Sequence, residues 1–496
     1  MEYNHLPSTH FLAQPRPDPF QSHAAGIVDT TTLAAHDFDV DTRTGFMPPQ
    51  PPLKRLPSAW EPWESSLDAA ISQRLQLAEA VEKMELEQRF VETEKSRGWR
   101  SHVAQMPCLT IEGLKVSERA LRRAHHVLAW LLHFYIHTIS PSDPLVIPRP
   151  LSIPLLQVSA ELQLPPVVTY SDDVLYNWDY KELRDDSKQD MLPTIDNIRC
   201  QTTFTGTKDE EEFYLSAARI ELRGTEVLEL MRLTMDETFV GDEIAVRRIT
   251  GYLERMAIVI QELRGLLLDM KKTIDPEFFY ERLRPWFRGL DEDPWHKGRT
   301  WVFEGRDEVE GWTTIEEVSG ASAGQSSLIQ AFDIYLDIDV DSPPTSHMPH
   351  PSGKSFPERM RAYMPRHHRA FLNHLRANPR PLRAFVLNAV EEGCDVPILE
   401  AYNGALKAVK EFRDAHMIIV ALFIIGPARR SQKREAATLG KSIEKEIGGE
   451  STKETKRMEN AFKANEKESL KGTGGTDLVK FLKGLRDQTA RGYLPQ

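Results

Sequence analysis

A chain of 496 residues with 62 Lys and Arg against 74 Asp and Glu carries a formal net charge of −12, which argues against the basic footprint of a nucleic-acid binder. Its 40% apolar and 27% charged residues are ordinary for a soluble globular protein of roughly two to four domains. The longest apolar run, Met417–Ile425, is about half of a membrane span. Three cysteines, Cys108, Cys200 and Cys394, form no CxxC pair. That excludes a disulfide framework, a cysteine zinc site and covalent haem attachment, and fits a reducing interior. The polar N-terminus carries no secretory pattern, so the expected location is the cytoplasm.

Residues 1–34 hold scattered Pro, His and Thr and read as a disordered tail. Residues 46–57 are Pro-rich and extended. Helical spacing begins at Trp60 and Trp63 and continues to Phe90. Leu114–Ile139 reads as a buried helix ending before Pro141. The prolines of Ile147–Val168 predict short helical pieces and loops. Helices resume at Phe213–Met235, Glu243–Thr273 and Pro276–Trp286, followed by Ser326–Ile338, Phe356–Asn378 and Leu399–Ile425. The last is expected to stop at Gly426-Pro427. Residues 428–470, dominated by Lys, Arg, Glu, Ser and Thr, read as a mobile charged insertion, and Asp477–Leu485 as a closing helix. Strand signals are sparse, so the fold class is all-α.

Most of the 16 histidines have a structural reading. His133 and His137 stand at i, i+4, but without the acidic residue of a metal-binding HExxH they read as core histidines. His367-His368, in MPRHHRAF, read as a solvated helix start. His416 differs: it falls in the apolar stripe of Tyr402, Ala405, Val409, Phe412, Ile419 and Phe423. A buried imidazole there either bonds a backbone carbonyl or serves as an axial haem ligand. Arg413, one turn earlier, pairs with a propionate or a buried Asp, or lies on the surface.

Arg284 is the second candidate. Asp275-Pro276 starts its helix, and Phe279 and Tyr280 precede it by about a turn. A guanidinium beside aromatics suits an aromatic substrate bearing a carboxylate, or stacks structurally on a ring. Two loops of small residues, SGASAGQSS (319–327) and KGTGGTD (471–477), lack the Walker order. Their small side chains allow close backbone approach to a flat ligand.

These features occur together in IPRPLSIPLLQVSAELQLPPVVTYSDDVLYNW (147–178), DPEFFYERLRPW (275–286), SGASAGQSSLIQAFD (319–333), MRAYMPRHHRAFL (360–372), EFRDAHMIIV (411–420) and KGTGGTDLVKFLKGLR (471–486). In these blocks, from about residue 35 onward, the chain resembles the indoleamine 2,3-dioxygenase family, in a fungal-type form. The resemblance implies a two-domain helical haem dioxygenase: a small N-terminal domain over 35–205 and a large haem-binding domain over 206–496. It implies one haem b per chain with His416 as proximal iron ligand, and Arg413 with Asp333 bracing that side. Ser322 and Ala323 fall on the haem edge. Tyr170, Val174, Phe213, Ala217 and Phe279 fall on the indole pocket, Arg284 on the substrate carboxylate, and Thr473 on a closing loop near the substrate ammonium or a propionate. Ala217 stands where mammalian members carry serine, Asp173 where they carry cysteine, and Tyr280 where they carry phenylalanine.

The activity so implied is opening of the L-tryptophan indole ring by dioxygen to N-formylkynurenine, the first step of the kynurenine route toward NAD. Arg284, Phe279 and Thr473 are the residues expected to act on the substrate. An electron donor keeps the iron ferrous, the protein is a monomer, no nucleic acid or membrane takes part, and 428–475 forms a lid. Two other classes compete: a catalytically weak haem sensor of the same fold, supported by Ala217 and Asp173, and a helical interaction protein without cofactor.

Overall fold

Proline, glycine and capping side chains set the helix boundaries in the computed structural model, which describes residues 38–182, 191–290, 300–310, 318–338, 354–377, 382–394, 397–434, 437 and 478–495. The expected tail, most of the charged insertion and the loop at 471–477 lie outside the described residues. The helical run after Trp60 is broken, with α1 at Glu61–Ser72 and α2 at Leu86–Ala104. Ser117 accepts from the Ala120 amide and caps α3, Glu118–His137. Residues 124–134 of α3 are all buried, as expected of a helix packed on every side.

The prolines of 147–168 break the chain less than expected. α4 spans Arg149–Leu162, because Pro150 occupies the first turn, where no amide donor is needed, and Pro154 removes a single bond. Two short two-stranded sheets flank this region. Val146–Ile147 (β1) pairs parallel with Val302–Phe303 (β4), and Trp178–Tyr180 (β2) pairs antiparallel with Ile198–Cys200 (β3).

The C-terminal half rests on a hairpin of two long helices, α5 (Lys208–Val240) and α6 (Glu243–Thr273). Gly241 makes the turn with φ +72°, its amide bonding the Glu237 carbonyl, a left-handed C-cap that favours glycine. Asp242 then caps α6 through the Ala245 amide at 2.7 Å. α7 (Ser327–Tyr335) follows. Pro365 splits the helix expected over 356–378 into a short Phe356–Arg361 helix and α8 (Arg366–Ala377), and α9 (Leu382–Glu391) was not anticipated. α6 packs between α5 and α10 (Ile398–Val420), and α11 (Leu478–Arg491) covers α10. One apolar cluster runs from Phe46 through α3 and α6 to Leu494, joining both expected domains.

α10 does not stop at Gly426-Pro427. It passes through a π turn, Ala421–Ile425, closed by the Gly426 amide on the Ala421 carbonyl, and helix continues over 426–434. Pro427 thus sits in a first turn, where its missing donor costs little. Arg430 pairs with Glu277, and Arg434 with Glu277 and Glu281, so the start of the expected insertion is docked.

Candidate functional site

Three segments with π-helical turns meet around one cavity: Ser171–Leu175, Phe279–Leu283 and Ala421–Ile425. A π turn widens the helix by one residue and re-aims its side chains, which is why such turns gather at functional sites. Here they bring Asp173 and Val174, Phe279, and Phe423 and Ile424 to the cavity wall. Phe213 of α5 lies 4.9 Å from Phe279, which meets Phe423 edge-on at 5.7 Å. The result is an aromatic wall.

Arg284 enters this wall from the 3-10 turn Arg284–Phe287 that follows the second π turn. The guanidinium is buried and stands 6.0 Å from the Tyr280 ring. Two histidines of α3 fasten its segment. His133 Nδ1–H donates to the Trp286 carbonyl at 2.7 Å while its Nε2 accepts the Val168 amide at 3.1 Å. His137 Nε2 lies 3.1 Å from the Arg288 carbonyl. One imidazole therefore bridges the segments bearing Tyr170 and Arg284. Burial lowers His133 to about 4, so it stays neutral, as these two bonds require. The i, i+4 pair is spent on backbone, consistent with a core role. Among the described residues no group of three or more His, Cys, Asp or Glu could hold a metal ion.

The small-residue loop packs against that same segment. A Cβ at Gly320 would lie 1.6 Å from the Phe287 carbonyl oxygen, and one at Gly289 would lie 2.0 Å from that of Val318. The glycine at 320 thus serves contact between two loops, while Ala321, Ser322, Ala323 and Gly324 line the cavity. Gln325 is buried and bridges again, accepting the Tyr170 amide at 2.9 Å and donating to the Gly320 carbonyl at 2.9 Å. Ser326 caps α7 through the Ile329 amide.

On the α10 side, His416 lines the cavity. Among the described residues no hydrogen-bond partner for its imidazole is found, in contrast to the histidines of α3. Burial and the Arg413 charge lower it to about 4. It is neutral at pH 7, the form in which a ring nitrogen ligates a metal. Arg413 is buried rather than on the surface. It pairs with Asp333 of α7 and donates to the Leu485 carbonyl at 3.2 Å and to Thr489 of α11.

The cavity volume is about 280 Å³, well above the roughly 150 Å³ of an apolar cavity that admits benzene. Tyr170, Val174, Phe213, Ala217, Phe279, Arg284, Ser322, Ala323, Asp333, Arg413 and His416 all line it. Thr473 lies outside the described residues. An apolar chamber with an unpartnered neutral imidazole and a braced arginine fits a haem held at His416. His368 departs from the sequence reading. It is fully buried, 4.9 Å from the Phe46 ring, and burial lowers it to about 4, because the amphipathic face of α8 turns it inward. Sequence patterns gave no sign of Glu221, Gln325 or the bracing by His133, which depend on partners far along the chain.

Fold and site together define an all-α enzyme built around one buried aromatic cavity. A model of the indoleamine 2,3-dioxygenase family matches residues 34–492. Indoleamine 2,3-dioxygenase 1 of Rattus norvegicus is 28% identical over 459 residues, covering 92% of this chain and 95% of its own. The indoleamine 2,3-dioxygenase of Saccharomyces cerevisiae is 31% identical over 422 residues, 80% of this chain and 87% of its own. The 6-hydroxytryptophan 2,3-dioxygenase of Fusarium equiseti is 27% identical over 464 residues, 92% and 97% respectively. The chain belongs to the indoleamine 2,3-dioxygenase family and is an oxidoreductase of the dioxygenase class.

Proposed function

We propose that this chain opens the indole ring of L-tryptophan with dioxygen, yielding N-formylkynurenine, with haem b held at His416. The observation that carries this reading is the single cavity shared by the His416 imidazole, the Arg284 guanidinium and the Phe213–Phe279–Phe423 wall. The chemistry haem supplies when bound is activation of dioxygen toward the indole C2–C3 bond.

The side chains do the rest by placement. His416 offers a neutral ring nitrogen, and the Arg413–Asp333 pair fixes α10 against α7 behind it. Arg284 binds the substrate carboxylate as a charge-assisted pair. Phe213, Phe279, Tyr170 and Val174 orient the ring and exclude water, and Ala217 contributes a methyl and no proton. Ser322 and Ala323 flank the haem edge, and Thr473 is assigned the substrate ammonium or a propionate.

The same reading has a cytoplasmic monomer served by an electron donor, feeding the route from tryptophan toward NAD. The name of the Fusarium relative makes ring-hydroxylated tryptophan an indole to test beside tryptophan. Asp173 and Ala217 favour one second reading, a haem sensor of weak catalysis. Reduced, haem-loaded protein given L-tryptophan and air should accumulate N-formylkynurenine. Haem-loaded protein that binds tryptophan without product would favour the sensor, and protein that takes up no haem would contradict both.

A further inference from the structure

Among the described residues two that carry a carboxyl group line the cavity, Asp333 and Asp173. Asp333 is paired with Arg413. Asp173 is 4% exposed and its Oδ1 has no hydrogen-bond partner. The contrast with its chain neighbour is sharp. Asp172, equally buried, takes His125 Nδ1 at 2.9 Å, the Thr169 amide at 2.9 Å and the Thr169 hydroxyl at 2.7 Å. The nearby phenols are also engaged, Tyr170 with Glu221 at 3.0 Å and Tyr214 with Glu210 at 2.8 Å. Across the same wall Ala217 presents a methyl, which offers Asp173 no hydrogen-bond partner.

A buried carboxyl left short of partners is destabilising, and an outside group that completes the bond is one physical reason for such an atom to persist. Burial, with Asp172 and Glu210 nearby, raises the Asp173 pKa well above the usual carboxylate range. That shift favours the protonated form, which has one O–H donor and a carbonyl acceptor. The cavity around it, with Tyr170, Val174 and Ala217 on its own wall, belongs to the part assigned to the indole ring, so this inference rests on the function proposed above.

We infer that Asp173 is a specificity-determining residue, which hydrogen-bonds a polar substituent on the indole ring, a ring hydroxyl being the group that fits it. A phenolic hydroxyl donates once and accepts, as the carboxylic acid does, so the two satisfy each other reciprocally. The carbon edge of unsubstituted indole satisfies neither. A site that pairs a substrate hydroxyl discriminates against the analogue lacking it, because its own polar group is then stranded.

The test compares L-tryptophan, 5-hydroxy-L-tryptophan and 6-hydroxy-L-tryptophan on haem-loaded protein, by calorimetric Kd without oxygen and by kcat/KM with it. The parent is expected to bind at least one hydroxylated ligand about 10-fold or more tighter than tryptophan. Asp173→Ala should abolish that preference, chiefly by weakening the hydroxylated ligand, and Asp173→Asn, which still donates and accepts, should keep most of it. Three results overturn the inference. The first is a parent with no preference for either hydroxylated ligand, a measurement that needs no variant. The second is an unchanged preference in Asp173→Ala. The third is an equal loss for all three ligands, which would place Asp173 on the indole N–H or in a structural role. A parent that handles tryptophan yet shows one of these keeps the proposed function. A parent that neither binds nor converts any of the three indoles contradicts that function, and the inference with it.

Discussion

The Tyr170 hydroxyl donates to Glu221 Oε1 across 3.0 Å, and the Ser326 hydroxyl donates to the same oxygen across 2.7 Å. A single carboxyl of α5 thereby ties the first π turn to the cap of α7, two parts of the cavity wall more than a hundred residues apart. Burial raises Glu221 to about 7, only partly offset by these two bonds.

That pKa has a stability consequence. The native state holds the Glu221 proton between the ordinary value of 4.5 and about 7, where the unfolded chain has released it. Stability is therefore greatest below 4.5, falls as the pH rises through about 7, and is flat above. The whole drop is about 3 kcal/mol. Glu221→Gln should flatten this slope and exceed the parent in stability at pH 8. Denaturant unfolding at pH 5 and pH 8 checks it, and an unchanged slope in the variant would refute the assignment.

His416→Ala should leave the helix content intact and abolish haem retention. The imidazole lines an apolar chamber without a hydrogen-bond partner among the described residues, so its removal breaks no internal network. Haem-to-protein ratio after gel filtration, with far-ultraviolet circular dichroism as the fold control, decides. A normally loaded variant would remove the ligand role.

Arg284→Ala should raise the tryptophan KM while haem content stays at the parental level. Loss of a charge-assisted pair is worth about 1.5–3 kcal/mol, roughly 10- to 150-fold. Steady-state kinetics against a pyridine-haemochrome count checks both halves. Parental KM would take the carboxylate away from Arg284.

Gly320→Ala should be among the most damaging single-methyl changes in the chain. The added Cβ would meet the Phe287 carbonyl oxygen at 1.6 Å, and backbone cannot swing aside as a side chain can. We expect a lower melting temperature and a weaker hold on tryptophan, since the displaced segment carries Arg284. A variant with parental melting temperature and KM would show that the loops yield freely.

Much of the helical framework was legible because it rests on local signals. Glu243–Thr273 shows its apolar period in the sequence, and the structure has the same bounds. Gly426-Pro427 misled, since a proline that ends one helix register can open the next, and the π turn before it leaves no mark in the apolar pattern. His368 misled for a related reason: flanking charge was visible, but its direction on α8 was not. At the site, the described residues among those grouped by resemblance line one cavity, while Thr473 lies outside the described residues; their supports were hidden. His133, Gln325 and Glu221 each act on partners between 35 and 155 residues away, and no local pattern encodes such pairings.

Insertion of both atoms of dioxygen into the indole ring of tryptophan is the reaction proposed for this cavity. The direct measurement is mass spectrometry of the product formed by reduced, haem-loaded protein from L-tryptophan under isotopically heavy dioxygen. The expected product is N-formylkynurenine carrying two heavy oxygen atoms. No product from protein that holds haem and binds tryptophan, or a product with one heavy atom or none, would contradict it.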